Sequence, residues 1–469
     1  MRLIRVLSHP WPSIKKALLA IAACACMTAA LAAPSAADEP LPSHAFPDVG
    51  AAAGNEVLKT ITLAEAYRMA LATHESMRIA DEGVIQSEAA VDKAVSQLLP
   101  KLSVEGAYTA YNKQLRSGAF VTQPDDASRV DVKLVQPVYS GGREWSARRQ
   151  AKLVSKRSVA GRDEARDRVI RATAMAYFGV LKAGRDVEIK KAALKRAEER
   201  RKVAEARLKV GDVTRAVLVR AESLAAGAAA DLTRVEGDLL DAKNLFRRTT
   251  GAPVDFNVSE PPLKLMNLRD VDTLVTDALG ARADYRQSVI DERSADEGIS
   301  YVKSWFEPSL RLEGAYSWKE QNPKTAFFQK ESVSGSVVLS YPIFEGGLRS
   351  AELSEARSRY RESEQRRLSL KRDIEVQVRE AVNRLNSIAA AIESYKKQLS
   401  FAEEDARMVS EQFKYGLATI VDVIDADASL VSASLSLMNA NYDYEFAKLE
   451  LKFSTGVLSD EINDMGAGN

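Results

Sequence analysis

The chain has 469 residues, room for two or three ordinary globular domains, so its internal organisation has to decide how it is divided. Its 66 basic and 65 acidic residues are interspersed and leave a formal charge of +1, which excludes a nucleic-acid footprint and a polybasic membrane patch. Three histidines (His9, His44, His74) and two cysteines (Cys24, Cys26) supply little material for a metal site or a nucleophile paired with histidine; with no phosphate loop either, the chain reads as a non-enzyme without a cofactor.

The first segment, 1–33, carries Arg2, Arg5, Lys15 and Lys16 ahead of ALLAIAACACMTAALAA, a run too short and too rich in alanine for a membrane span; it reads as an export signal. Two processing routes are open. Cleavage at Ala30-Leu31-Ala32 or Ser35-Ala36-Ala37 removes both cysteines and suits an oxidising compartment, whereas Ile21-Ala22-Ala23-Cys24 resembles a bacterial lipobox in which Cys24 becomes the acylated first residue. Residues 34–58 read as a flexible segment, and no later run of 18 apolar residues predicts a spanning helix.

From residue 59 onward one unit is used twice. QPVYSGG (Gln136 to Gly142) returns as YPIFEGG (Tyr341 to Gly347), LKVG ending at Gly211 as FKYG ending at Gly416, and RTTG ending at Gly251 as FSTG ending at Gly456, all 205 residues apart. PKLSVEGAY from Pro100 matches PSLRLEGAY from Pro308 at an offset of 208, so a loop between the motifs is three residues longer in the first copy. The copies span 59–251 and 269–456, joined by a proline-rich linker, 252–268, and followed by a flexible tail, 457–469.

Each copy reads as helix, two strands, long helix, glycine turn, helix. Residues 62–99 and 269–305 are predicted as single helices ending before Pro100 and Pro308. The strands follow. Leu102, Val104, Gly106, Tyr108 and Leu310, Leu312, Gly314, Tyr316, Trp318 alternate with polar residues that include Glu105 and Glu313; Val130, Val132, Leu134 and Gly335, Val337, Leu339 continue the pattern. Four strands of about ten residues, apolar on one face and aromatic at the ends, suit a tilted crossing of an outer membrane. Four cannot close a barrel, so the chain must share one with further copies, and Glu105 and Glu313 then face its lumen.

No proline interrupts 142–210 or 347–415, lengths that reach about 100 Å as helix. In the second copy Ile374, Val378, Ala381, Leu385, Ile388, Ile392, Tyr395, Leu399, Ala402, Ala406, Val409 and Phe413 step by four and three, a heptad seam. The matching line in the first copy is broken by Lys190 and Arg201, which predicts looser or different packing there.

With its repeat order, its two Pro-x-x-x-Gly-Gly motifs and the paired segments VGDVTRAVLVRAE and YGLATIVDVIDADASL, the sequence resembles the TolC family of outer-membrane efflux and secretion channels over roughly residues 60–456. The resemblance implies a mainly α fold with a membrane β-barrel. It implies a homotrimer in which four strands per chain build a shared twelve-stranded barrel in outer-membrane lipid, continued by a tunnel of coiled-coil hairpins across the periplasm. It also implies that the tip turns, with Gly211, Thr214, Gly416, Leu417 and Thr419, dock onto a periplasmic adaptor (a membrane fusion protein) linked to an inner-membrane pump of the RND or ABC type.

Asp422 and Asp425 are i and i+3 on one helix face, and the family pattern puts acids there at the tunnel's narrowest point. Threefold symmetry would make them a ring of carboxylates that attracts cations. Asp422 has a second reading: Thr419-x-x-Asp422 is a capping-box pattern. Asp427 reads as solvated surface. The glycines at 211 and 416 read as left-handed helix caps. Val217 stands where many relatives carry an acid, so the closed tip is expected to be held by packing more than by salt links. The alternative to a channel is an exported coiled-coil scaffold or adhesin without a pore.

Overall fold

The structure is a computed structural model that describes residues 59–325 and 327–458, so the export segment, Cys24 and the tail beyond 458 lie outside the described residues. The order of elements is β1 (Lys59–Ile61), α1 (Leu63–Thr73), α2 (Glu75–Ser96), β2 (Lys101–Ala110), β3 (Leu115–Ser117), β4 (Phe120–Gln123), β5 (Asp126–Tyr139), α3 (Arg143–Lys209) and α4 (Arg215–Thr250). There follow β6 (Phe256–Val258), α5 (Val271–Ala281), α6 (Ala283–Lys303), a 3-10 turn (Ser304–Phe306), β7 (Ser309–Asn322), β8 (Glu331–Ser340), α7 (Leu348–Lys414) and α8 (Ile420–Thr455). The repeat is copied into the backbone: α3 and α7 both have 67 residues, about 100 Å, and α4 and α8 both have 36.

The strands form one antiparallel sheet in the order β2-β5-β7-β8. Its two faces differ as the alternation predicts. Leu102, Val104, Tyr108, Val333, Val337 and Leu339 stand exposed on one side. On the other, Lys133 pairs with Glu105 at 3.2 Å, Arg129 with Asp131 at 2.8 Å, and Arg311 with Glu313. Burying each apolar side chain would gain about 1.5–3 kcal/mol, and nothing among the described residues covers them. A short hairpin, β3 and β4, fills the longer loop of the first copy.

Three features correct or sharpen the sequence reading. Each predicted helix, 62–99 and 269–305, is broken once, at His74 (ψ 127°) and at Arg282 (ψ 129°), which are 208 residues apart. Neither break involves glycine or proline. His74 accepts the Ser76 N–H on its Nδ1, while the buried Arg282 guanidinium is tied to Asp284, Gln377 and the Ser454 carbonyl. The proline-rich linker is not structureless: β6 within it pairs in parallel with β1, over a core of Ile61, Tyr177, Phe178, Phe246 and Phe256.

Of the looser or different packing expected for the first copy, the structure shows the different one. Thirteen residues of α3 are buried against eight of α7, because α3 runs in the middle of the protomer, touching α1, α2, α4, α6 and α8. The break in its seam is filled by charge. Lys190, with a side chain only 14% exposed, donates to Asp231 of α4 at 2.8 Å, and this contact holds the Asp231 carboxyl below the usual carboxylate range. Removing one partner strands the other, whereas a leucine would restore the heptad. Asp231→Ala is therefore expected to lower the unfolding free energy by about 1–2 kcal/mol, below the range for fully buried pairs. Lys190→Leu is expected to leave the apparent Tm unchanged or raise it; a loss as large as that of Asp231→Ala would contradict this role for the pair.

Candidate functional site

The site lies where the two long hairpins turn. At the end of α3 the Gly211 N–H donates to the Leu208 carbonyl at 3.0 Å and the Asp212 N–H to the Arg207 carbonyl at 2.9 Å; at the end of α7 Gly416 and Leu417 do the same to Phe413 and Gln412. Both glycines are left-handed, at φ 78° and 76°, as a Schellman ending requires. Two of the carbonyls that each helix would leave orphaned are thereby met, and the chain reverses within five residues.

The helices that follow start differently. Thr419 begins α8 with a full capping box: its hydroxyl accepts from the Asp422 N–H at 3.3 Å, and the Asp422 carboxylate accepts from the Thr419 N–H and hydroxyl, both at 2.7 Å. These bonds hold the Asp422 carboxyl below its ordinary range. Thr214 begins α4 with no side-chain cap bond, and Val217, which stands where Asp422 stands in the second copy, has no carboxylate to return one. Val217 turns instead to a small core of Phe413, Ile420 and Val423, with Val203, Val409, Ala418 and Ile424 around it.

Asp422 and Asp425 share one exposed face of α8, as their spacing predicts. Their situations are unequal. Asp422 is turned back onto its own helix end, while no hydrogen bond or ion pair engages Asp425 among the described residues. Asp427 corrects the sequence reading. Its side chain is only 17% exposed, and it accepts from Arg196 at 3.2 Å and also pairs with Arg200, both on α3. One acid thus ties the first long helix to the last.

A second tie escaped the sequence reading. Arg207 donates to the Phe413 carbonyl at 2.8 Å, pairs with Asp212 and stacks over the Phe413 ring at 5.0 Å. It joins the two tip turns. Within the protomer the tip is accordingly held by packing and by partly buried ion pairs together, more ionic than expected from Val217. Only the repeat itself carried a hint: opposite Arg207 the second copy has Gln412, so no matching arm returns.

At the other end of the long helices, Glu105 and Glu313 sit on the polar face of the sheet, each with a basic partner. Among the described residues no helix is long and apolar enough to cross a membrane, and no group of His, Cys, Asp or Glu could hold a metal ion.

A two-copy chain whose four-stranded, two-faced sheet rests on paired helices of about 100 Å narrows the comparison sharply. The family model for outer membrane efflux proteins matches residues 66–252 and 274–457. The chain belongs to this family. Outer membrane protein TolC of Vibrio cholerae is 25% identical over 390 residues, 81% of this chain and 87% of that protein. The alkaline protease secretion protein AprF of Pseudomonas aeruginosa is 28% identical over 165 residues, 35% of this chain and 34% of that protein. The crystal structure of the Campylobacter jejuni CmeC outer membrane channel superposes with a TM-score of 0.74 at 17% identity, covering 86% of this chain and 88% of that one. The members of this family are outer-membrane channels with their helical tunnel in the periplasm.

The asymmetry of the caps is directly measurable. Thr419→Ala is expected to cost about 1 kcal/mol at the start of α8, read as faster amide hydrogen exchange over 420–423, and Thr214→Ala a few tenths. Because the Asp422 carboxyl is held low, the cap is expected to persist above the ordinary carboxylate pKa and to fade only as pH falls through the lower, folded value. Equal effects from the two threonines would contradict the unequal caps.

Proposed function

We propose that three copies of this chain assemble into an outer-membrane channel of a tripartite efflux or type I secretion system. Twelve strands close the barrel and the helical hairpins continue it as a tunnel to a tip gated from the periplasm. The observation that carries this reading is the four-stranded sheet, apolar on one face and charged on the other, set directly on the longest helices of the chain. A coiled-coil scaffold has no use for such a sheet.

The tip supports the gating role. Val210, Tyr415 and Leu417 are 78–80% exposed at its extremity, an apolar surface for an adaptor, with an inner-membrane pump of the RND or ABC type behind it. Gly211, Thr214, Gly416, Leu417 and Thr419 shape that surface; the glycines act through the left-handed turn rather than by contact. Asp425, set one turn beyond the cap, is the better constriction residue, and Asp422 serves helix start and pore wall together. A threefold ring of these acids, in a narrow passage of reduced dielectric, favours cations.

The test is conductance of the detergent-extracted oligomer in a planar bilayer. The wild type is expected to give small cation-selective steps; Asp425→Asn should enlarge them or reduce selectivity, and Asp422→Asn, which keeps a cap acceptor, should do less. Discrete steps of identical size and selectivity in all three proteins would remove the constriction assignment, and silence from all of them would return the aspartates to a purely structural role.

A separate prediction concerns docking. A bulky residue at Gly416 forces a branched side chain into φ 76°, at a cost of about 1–2 kcal/mol, and displaces the turn. Gly416→Val is expected to abolish export in cells while leaving the protein in the outer membrane. Normal export by that variant would remove the docking surface from this turn.

A further inference from the structure

The internal repeat tells how two copies of the chain meet. Within one protomer β5 of the first copy pairs with β7 of the second, strands of 14 residues each, with Leu134 opposite Gly314 and Val132 opposite Tyr316. The edge strands β2 and β8 are the repeat counterparts of β7 and β5, yet each has only 10 residues. By the repeat, β7 maps onto 101–114 and β5 onto 331–344, so the stretches lacking strand structure are 111–114 and 341–344. Both are the ends whose pairing partner is missing.

The turns beside them show the same one-sidedness. A Cβ on Gly141 would lie 2.6 Å from both the Ser304 carbonyl oxygen and the Glu307 Cβ, because the first Pro-x-x-x-Gly-Gly turn is seated on the turn before β7. Gly346, its counterpart, has nothing within 4 Å of the same position. Around it Tyr341, Ile343 and Phe344 are 56%, 87% and 85% exposed. The counterpart of the 304–307 turn is 96–99, where Leu99 is likewise exposed. The unit has a donor face and an acceptor face, joined once within the chain and left open once at each end. Such a heterologous contact, repeated, closes into a ring where the rotation between copies divides a full turn.

We propose that β8 of one copy pairs antiparallel with β2 of the next in the register that sets Ser340 opposite Glu105, Leu339 opposite Gly106 and Val337 opposite Tyr108. Residues 341–344 and 111–114 join the two strands, and Gly346 seats on Leu99. This rests on the reading of the chain as a ring-forming channel and specifies the joint of that ring. The register has an independent check in the faces. It puts Val337 and Leu339 beside Tyr108 and Gly106 on the apolar side, and Ser336 and Ser340 beside Thr109 and Glu105 on the polar side. A slip of one residue would set every apolar residue of one strand beside a polar one of the other.

Cysteine crosslinking of the full chain in outer membranes tests it. Glu105→Cys is combined in turn with Ser336→Cys, Val338→Cys or Ser340→Cys, with the single variants as controls for native thiols, and each is oxidised and run on denaturing gels. Covalent multimers are expected chiefly from the 340 pair, with the lipid-side pair Tyr108→Cys, Val337→Cys giving the same result if Glu105→Cys impairs assembly. Multimers chiefly from 336 or 338, or none from any pair while the wild-type particle is oligomeric by native mass, would overturn the register and leave the channel reading standing. A monomeric wild-type particle would remove both. At the turn, Gly346→Ala is expected to lower the temperature at which the oligomer dissociates. Gly118→Ala, at the same φ of 61° but in open space, should not, and equal effects would remove the seat on Leu99.

Discussion

A strand edge cannot stand in hydrocarbon with its backbone groups unpaired, and most of this molecule follows from that constraint. The sheet has four strands, an apolar face that nothing among the described residues covers and two open edges. In water the face would be a liability and in lipid the edges would be. Only a closed ring of copies meets both demands, and the ring in turn requires the helices below it to stand side by side around a common axis. The tunnel is thus the consequence of how the barrel closes.

The helices meet a different demand. A rod of about 100 Å has no globular core to lean on, so its stability comes from a seam repeated along its length. Apolar residues supply the seam in α7. In α3, which has neighbours on more sides, a lysine and an aspartate fill one place in it. At the tip the same economy recurs: Asp427 joins α3 to α8, and Arg207 joins one turn to the other. These ties lie within a protomer but cross between its two hairpins, so opening the tip leaves no stranded charge only where the two hairpins of a protomer move together.

How far the sequence is legible depends on the range of each signal. The offset of 205 between the Gly-Gly motifs, and the strand alternation from Leu102 to Tyr108, are written locally, and both appear in the backbone as read. The capping box at Thr419 and Asp422 is a four-residue pattern and was legible too. The breaks at His74 and Arg282 were not, because neither residue is a helix breaker; Arg282 holds its extended conformation through Gln377 and Ser454, far along the chain. Asp427 was misread for the same reason: its partners, Arg196 and Arg200, lie more than 200 residues away. The three-residue strands β1 and β6 are too short to leave any period in the sequence.

The central claim is that copies of the chain complete one another's barrel, and the number of copies tests it most directly. Native mass spectrometry of the particle, released from outer membranes in a mild detergent, is predicted to give a single species with three protein chains. A stable species of one chain with its strands intact would contradict the account.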